Sequence, residues 1–388
     1  MVDLKKELSL SDLIPKLPAR KAKPVSAAAT KRRPMPPEIV GLKIEAGGLT
    51  AAHVLNEGGK KLLRVAQSPL PPGVVGGGEV RDPAGLATAL SQFFSTTGLP
   101  RRGVRLGLAN TRIGVRQIEV SGVSDLQQLE NAIGFRAHEI LSVPLDEAAL
   151  DYHILDTTTG EDGVITYRVL LVVAYKDSVD RYLAATDAAE VEVSGVDLDA
   201  FALLRALGRF RGEDDAGPAA IAAVAIDHDL TTLAISDGVT CQFTRVLEWG
   251  TANVDVALCR ALKVPAEQAV EARRAVSLDE HEPGYSPGVS MSAMSPADVV
   301  RRELQTLERE LVSSIRFYGS QEGAAPVRGL VVSGGLVDIP GFAARLSTDL
   351  GVPVTAADPF GRVELTDEVI RPASSSGLLV AVGLGIED

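Results

Sequence analysis

Apolar positions first recur at the spacing of one helix face, at Leu4, Leu8, Leu10, Leu13, Ile14 and Leu17, with Ser11 and Asp12 available as caps. The pattern then lapses. Residues 19–37 are rich in Ala, Pro, Lys and Arg, a composition that buries too little apolar surface to offset ordering, and predict a disordered tether. From residue 38 onward the pattern is that of a folded body. Residues 39–54 read as strand, turn, strand around Ala46-Gly47-Gly48, and 65–78 as a Pro/Gly loop. A helix follows over 83–97, with Leu86, Leu90, Phe93 and Phe94 on one face and Gly98 just past its end. Residues 104–120 alternate as two strands broken near Asn110. Helices are predicted over 125–141, 178–188 and 201–210, and strands over 150–156, 165–175 and 190–198.

A second half repeats the opening of the first. Residues 221–235 are again strand, turn, strand, followed by helical patterns over 254–262 and 267–275 and a polar loop over 281–293. Ser295-Pro296-Ala297-Asp298 is a strong helix start, and Val300, Leu304, Leu307, Leu311 and Ile315 continue one face to about Tyr318. Residues 377–386 close the chain as a helix that is apolar all round. Two halves opened by similar hairpins, IVGLKIEAGGLTAAHV (39–54) and AAVAIDHDLTTLAIS (222–236), indicate an α/β fold built by duplication.

The chain of 388 residues is long enough for more than one core, and its net charge of −12 makes nucleic acid an unsuitable partner. That charge is uneven: residues 1–38 carry +5 and the remainder −17. A short basic amphipathic segment on a tether suits docking on a partner or contact with an anionic membrane surface, and a leader with no role is the plain alternative. Charges stand where a signal peptide needs its apolar core, and no apolar run approaches the length of a membrane span. Two cysteines, Cys241 and Cys259, give no disulfide framework, and His53, His138, His153, His228 and His281 form no metal-ligand spacing. No Ser/His/Asp or Cys/His arrangement suggests nucleophilic catalysis, so no catalytic residue is assigned. Gly76-Gly77-Gly78 lacks the Lys-Ser/Thr of a P-loop and reads as a flexible loop, Asp227-His228-Asp229 as a charged turn, and Trp249 as core or cleft wall.

Residues 330–342 read LVVSGGLVDIPGF: a short strand, a Gly-Gly turn whose backbone can approach a ligand, and a helix start at Asp338-Ile339-Pro340-Gly341. The pattern resembles the adenosine motif of the actin-like ATPase superfamily. The resemblance narrows further, to the PilM family of type IV pilus assembly proteins, relatives of the division protein FtsA. It rests on VGLKIEAGGLTAAHV, GEVRDPAGLATALSQFF, VRLGLANTRIGVRQIEV, VPLDEAALDY, VDLDAFALLRAL, VLEWG, YSPGVSMSAMSPADVVRRELQTLERELVSSIRFY, VVSGGLVDIPGF and LLVAVGLGIE, in family order from residue 38 to 388. It implies an actin-like, ribonuclease H-like duplicated fold with an FtsA-type insertion. The tail would span 1–37 and the first half 38–117 (subdomain 1A, completed by the closing helix at 377–388). The inserted subdomain 1C would span 118–195, and the second half 196–388, with subdomain 2B at about 253–310. It also implies a cytoplasmic scaffold at the inner membrane that binds the N-terminal peptide of a PilN-like membrane protein. Pilus motor or platform proteins and a second copy of the chain are further partners the family suggests, and ATP with Mg²⁺ its cofactor. The alternatives are an active or polymerising actin-like ATPase and, more remotely, a sugar-kinase-like enzyme.

The phosphate loops depart from that family. Hydrolysis in this superfamily needs a carboxylate in each loop to hold Mg²⁺ or orient water, and a glycine that lets backbone N–H groups reach phosphate oxygens. In the first loop Lys43 stands at the acid position and Glu45 at the glycine position. In the second, the ungapped match puts Ala225 at the acid and Asp227 at the glycine; a slide of two residues restores Asp227 as the acid but breaks the match at Thr231-Thr232-Leu233. What remains for a vestigial nucleotide cleft is Gly47, Gly48, Thr231, Thr232, Gly334 and Gly335. Lys43 is expected either as a strand-edge charge facing water or as a phosphate partner. The residues themselves therefore point to a pseudo-ATPase.

Overall fold

Two hairpins of like design found the two halves of the molecule. The computed structural model describes residues 36–123, 125–140, 144, 146–160, 163–208, 219–279, 294–367, 369–372 and 374–387. The leader and tether at 1–35 and the polar loop at 281–293 lie outside the described residues.

In the first half, β1 (Glu38–Glu45) and β2 (Gly48–Leu55) pair antiparallel, followed by β3 (Lys61–Pro69), β4 (Val75–Gly76) and β5 (Glu79–Val80). Helix α1 (Pro83–Thr97) starts where predicted: the Asp82 side chain accepts the Gly85 N–H, and Pro83 opens the first turn. Strands β6 (Val104–Leu108) and β7 (Gly114–Ser121), helix α2 (Leu126–Ile140), β8 (Ala148–Thr159), β9 (Ile165–Tyr175), α3 (Lys176–Ala188), β10 (Val193–Leu198) and α4 (Asp199–Leu207) follow. The second half comprises β11 (Ala220–Ile226), β12 (Thr231–Ser236), β13 (Cys241–Leu247), α5 (Thr251–Leu262), α6 (Ala266–Ala275), α7 (Pro296–Gly319), β14 (Val327–Gly334), α8 (Phe342–Leu350) and β15 (Val354–Ala356). The chain then returns to the first half with β16 (Glu364–Leu365) and α9 (Leu378–Gly385).

The first sheet runs β10-β6-β1-β2-β3-β16 and the second β13-β12-β11-β14-β15. A separate three-stranded sheet, β7-β9-β8, carries α2 and has its own core of Ile118, Val120, Leu129, Ile133, Val169 and Leu171. Helix α3 and strand β10 instead join the core and the sheet of the first half.

Helix α9 is buried on every face, as its sequence requires, and lies against β1, β2 and α4. Gly41 on β1 makes that approach feasible, because a Cβ there would run into the Ala381 carbonyl oxygen. Buried Arg105 donates to the Leu384 and Ile386 carbonyls at 3.1 and 2.8 Å, placing a cation at the negative end of α9. The second-half core gathers Val300, Leu304, Leu307 and Leu311 of α7 around Val224, Leu233, Trp249 and Val332.

Four expectations are corrected. Residues 65–69 are strand rather than loop, because β2 supplies a ladder partner to each of them, from Ala52↔Val65 to Gly48↔Pro69. Gly77-Gly78 is the tight turn of the β4–β5 hairpin, not a flexible loop. No helix starts at Asp338. Residues 335–341 are successive turns, and α8 begins only at Phe342, after Gly341 takes a left-handed φ of 83°. Strand β13 was not expected; its alternating CQFTRVL pairs with β12 at the sheet edge.

Candidate functional site

The two hairpin tips meet across the interface of the halves. In the first, Glu45 pairs with Gly48 around the two-residue turn Ala46-Gly47. In the second, the Asp227 N–H donates to the Leu230 carbonyl at 2.9 Å, leaving His228-Asp229 as the turn. Counted back from each turn, Glu45 and Asp227 occupy one rung, and Lys43 and Ala225 another. Lys43 faces Thr50 across its ladder, and Ala225 faces Thr232.

Lys43 does not face water. β1 is an interior strand between β6 and β2 rather than an edge, and on its face Lys43 is covered to 2% exposure. Its ammonium is paired with the Asp199 carboxylate and lies 2.9 Å from Asp227 Oδ2. Asp199, at the first position of α4, is 0% exposed and Asp227 1%. Burial works against a charged Lys43, but the Asp199, Asp227 and Glu45 carboxylates more than offset it and hold its pKa well above the usual lysine value. Removing the ammonium would leave two buried carboxylates with no counterion. Asp199 Oδ1 and both Asp227 carboxylate oxygens already lack any hydrogen-bond partner, so Lys43 holds Asp227 as an ion pair.

Glu45 crosses to the other half. Its Oε2 accepts the His228 N–H at 2.9 Å, and its Oε1 accepts from Ser376 Oγ at 3.0 Å. Burial raises the Glu45 carboxyl to about 7, the Asp227 charge adds to this, and Lys43, His228 and Ser376 oppose it. A second carboxylate crosses the opposite way: Asp229 Oδ2 accepts the Gly77 N–H at 2.7 Å. The space left between these groups is about 10 Å³, lined by Lys43, Glu45, Gly78, Ala109, Asp227 and Asp229. That is the room one water takes, whereas small-molecule sites run to roughly 300–1,000 Å³. A larger cavity, about 430 Å³, lies between α1 and α3, lined by small uncharged side chains such as Ala87, Ser91 and Ala188, away from these charges.

The predicted cleft residues are brought near this cluster but turned to other tasks. Gly47 abuts His228, and Gly48 lies against the Ser68 carbonyl of β3. Thr231 Oγ1 donates to the Trp249 carbonyl at 2.7 Å, inside the second-half core. Thr232 Oγ1 is buried without a hydrogen-bond partner. Gly334, with φ 106°, wraps the end of β11 where any Cβ would strike the Ile226 carbonyl, and the Gly335 N–H is bonded to that same oxygen at 3.1 Å. Sequence reasoning missed Asp199, Asp229, Gly77 and Ser376. Only Asp199 carried a local signal, as an acid in the first turn of an apolar-faced helix in VDLDAFALLRAL.

A magnesium nucleotide does not fit these residues. The N–H groups of His228, Gly77 and Gly335 that could reach phosphate oxygens are bonded to the chain's own oxygens. Glu45, Asp227 and Asp229 would face incoming phosphate, and like charges ~4 Å apart near a protein surface repel by roughly 4 kcal/mol. Among the described residues, no group of three or more His, Cys, Asp or Glu is placed to hold a metal ion.

A family model described as type IV pilus assembly protein PilM matches residues 48–388. A chain of a PilM–PilN type IV pilus biogenesis complex superposes with a TM-score of 0.73 at 24% identity, covering 90% of this chain and 98% of that one. The ethanolamine utilization protein EutJ from Carboxydothermus hydrogenoformans matches at a TM-score of 0.48 and 14% identity, over 90% of each chain. ADP-bound MreB5 of Spiroplasma citri matches at 0.48 and 10%, over 89% of this chain and 95% of that one. The fold is the actin-like one.

Proposed function

Because the chain belongs to the PilM family of type IV pilus assembly proteins, we propose that it is a scaffold of the pilus inner-membrane platform that does not hydrolyse nucleotide. It binds the short N-terminal cytoplasmic peptide of a PilN-like membrane protein. The peptide lies in the groove between the first-half core and the inserted unit, by the peptide-in-groove recognition other domains use. The observation that carries the non-hydrolysing part is the Lys43–Asp199–Asp227 cluster at the position where the superfamily needs a free acid. Likeness of fold to a chain of a PilM–PilN type IV pilus biogenesis complex supports the partner class. The placement is at the cytoplasmic face of the inner membrane, reached through partners; no helix among the described residues is long and apolar enough to cross a membrane.

The test uses the full chain and a synthetic peptide of the PilN-like N-terminus from the same organism. Isothermal calorimetry is expected to show binding, and phosphate release from Mg-ATP to stay at the buffer rate. No binding at hundreds of micromolar would remove the scaffold reading. Steady ATP turnover would favour the active ATPase instead.

A further inference from the structure

We propose that the chain's own charges take the places of a bound magnesium nucleotide and hold the two halves shut. In this arrangement Lys43 stands for the cation, and the Glu45 and Asp229 carboxylates stand for phosphate oxygens. This rests on the non-hydrolysing reading above and adds a mechanism of closure to it.

A phosphate held between two hairpin tips needs backbone N–H donors from each side and a cation shared by acids on both. Each of those parts has a counterpart here. The first half sends Glu45 to the His228 N–H of the second, at 2.9 Å. The second half returns Asp229 to the Gly77 N–H of the first, at 2.7 Å. Lys43 of the first half joins Asp199, at the start of helix α4 packed between the two halves, to Asp227 of the second. These contacts are reciprocal and charge-assisted; Lys43, Glu45, Asp199 and Asp227 are buried, while Gly77, His228 and Asp229 are half-buried, and the buried members make the set stronger than a surface equivalent. A ligand that bridges two halves can leave, and the halves then part; a bridge made of side chains cannot leave. Closure is therefore a constant property of this chain, and its partner-binding surface is presented without reference to nucleotide.

Hydrogen exchange on the full chain tests this directly. The segments holding Gly77 and His228 are expected to exchange slowly, and equally slowly with millimolar Mg-ATP present. In Glu45→Ala/Asp229→Ala both segments should exchange at least about tenfold faster, the factor set by one charge-assisted hydrogen bond. The freed N–H groups and Lys43 should then let Mg-ADP or inorganic pyrophosphate slow them again. Glu45→Gln/Asp229→Asn keeps shape and one acceptor oxygen for each tip N–H, so it should retain more of the protection than the alanines and shows that the alanine effect is not misfolding. Exchange of the wild-type tips at free-loop rates would overturn the lock, and so would slowing of those tips by Mg-ATP. Turnover of ATP by the wild type would overturn both the lock and the reading it rests on; fast exchange without turnover would overturn the lock alone.

Discussion

Replacing Lys43 by methionine removes one charge from the interior while keeping nearly the same volume. The structure sets the size of the effect. Lys43 is 2% exposed and serves two carboxylates that are 0% and 1% exposed, so neither acid can turn to water once the ammonium is gone. Breaking a buried pair by deleting one partner costs about 3–5 kcal/mol, and here one deletion orphans two acids. Lys43→Met should therefore lower the unfolding free energy by about 4 kcal/mol in urea denaturation at neutral pH. Adding Asp227→Asn should recover part of that loss, since one of the two orphaned charges is then gone. The sign of the pH dependence follows. Burial already raises Asp199, and an acid whose folded pKa is raised contributes stability at low pH that is lost as pH rises through it. The Lys43→Met penalty should thus shrink toward acid pH. A loss below about 1 kcal/mol at neutral pH, or a penalty that grows on acidification, would refute the buried triad.

Glu45→Gln tests the same cluster from the other side: the wild-type carboxyl rises from 4.5 to about 7, so stability falls by about 3 kcal/mol as pH climbs through that window. The amide variant should remove about half of the slope in urea titrations at several pH values, because Glu308, which burial and the neighbouring Asp349 also raise to about 7, keeps its own share. Gly41→Ala drives a methyl into the Ala381 carbonyl and should unseat α9 at a cost of about 3 kcal/mol, read as a lowered urea midpoint. Asp82→Ala removes the cap on the Gly85 N–H and should cost only about 1 kcal/mol by the same measurement.

The parts of this fold legible in the sequence are those with local causes. Helix α1 was readable from its face of Leu86, Leu90, Phe93 and Phe94 and from Gly98, and α7 from Ser295, Pro296 and its stripe of Val300, Leu304, Leu307 and Leu311. The hairpins showed themselves by alternation around Gly47 and around Asp227-His228-Asp229. What was not legible depended on partners far along the chain. Whether Lys43 faces water is decided by β6 on one side of β1 and by Asp199, 156 residues away, and no local window holds either fact. The Gly77 turn likewise looked like slack until Asp229 was found to accept its N–H from 152 residues away. The end of strand β3 was hidden by the Pro/Gly-rich stretch that follows it, and β2 offers a ladder partner to each of residues 65–69.

In the proposed lock, Lys43, Glu45, Asp227 and Asp229 close the cleft between the halves in place of a ligand. Thermal unfolding of the full chain with and without millimolar Mg-ATP tests it most directly. A ligand at 100 times its Kd adds ~2.7 kcal/mol to the folded state and moves the melting point by several degrees. With the cleft already closed by side chains, the same Tm is expected in both conditions. A rise of several degrees with Mg-ATP would contradict it.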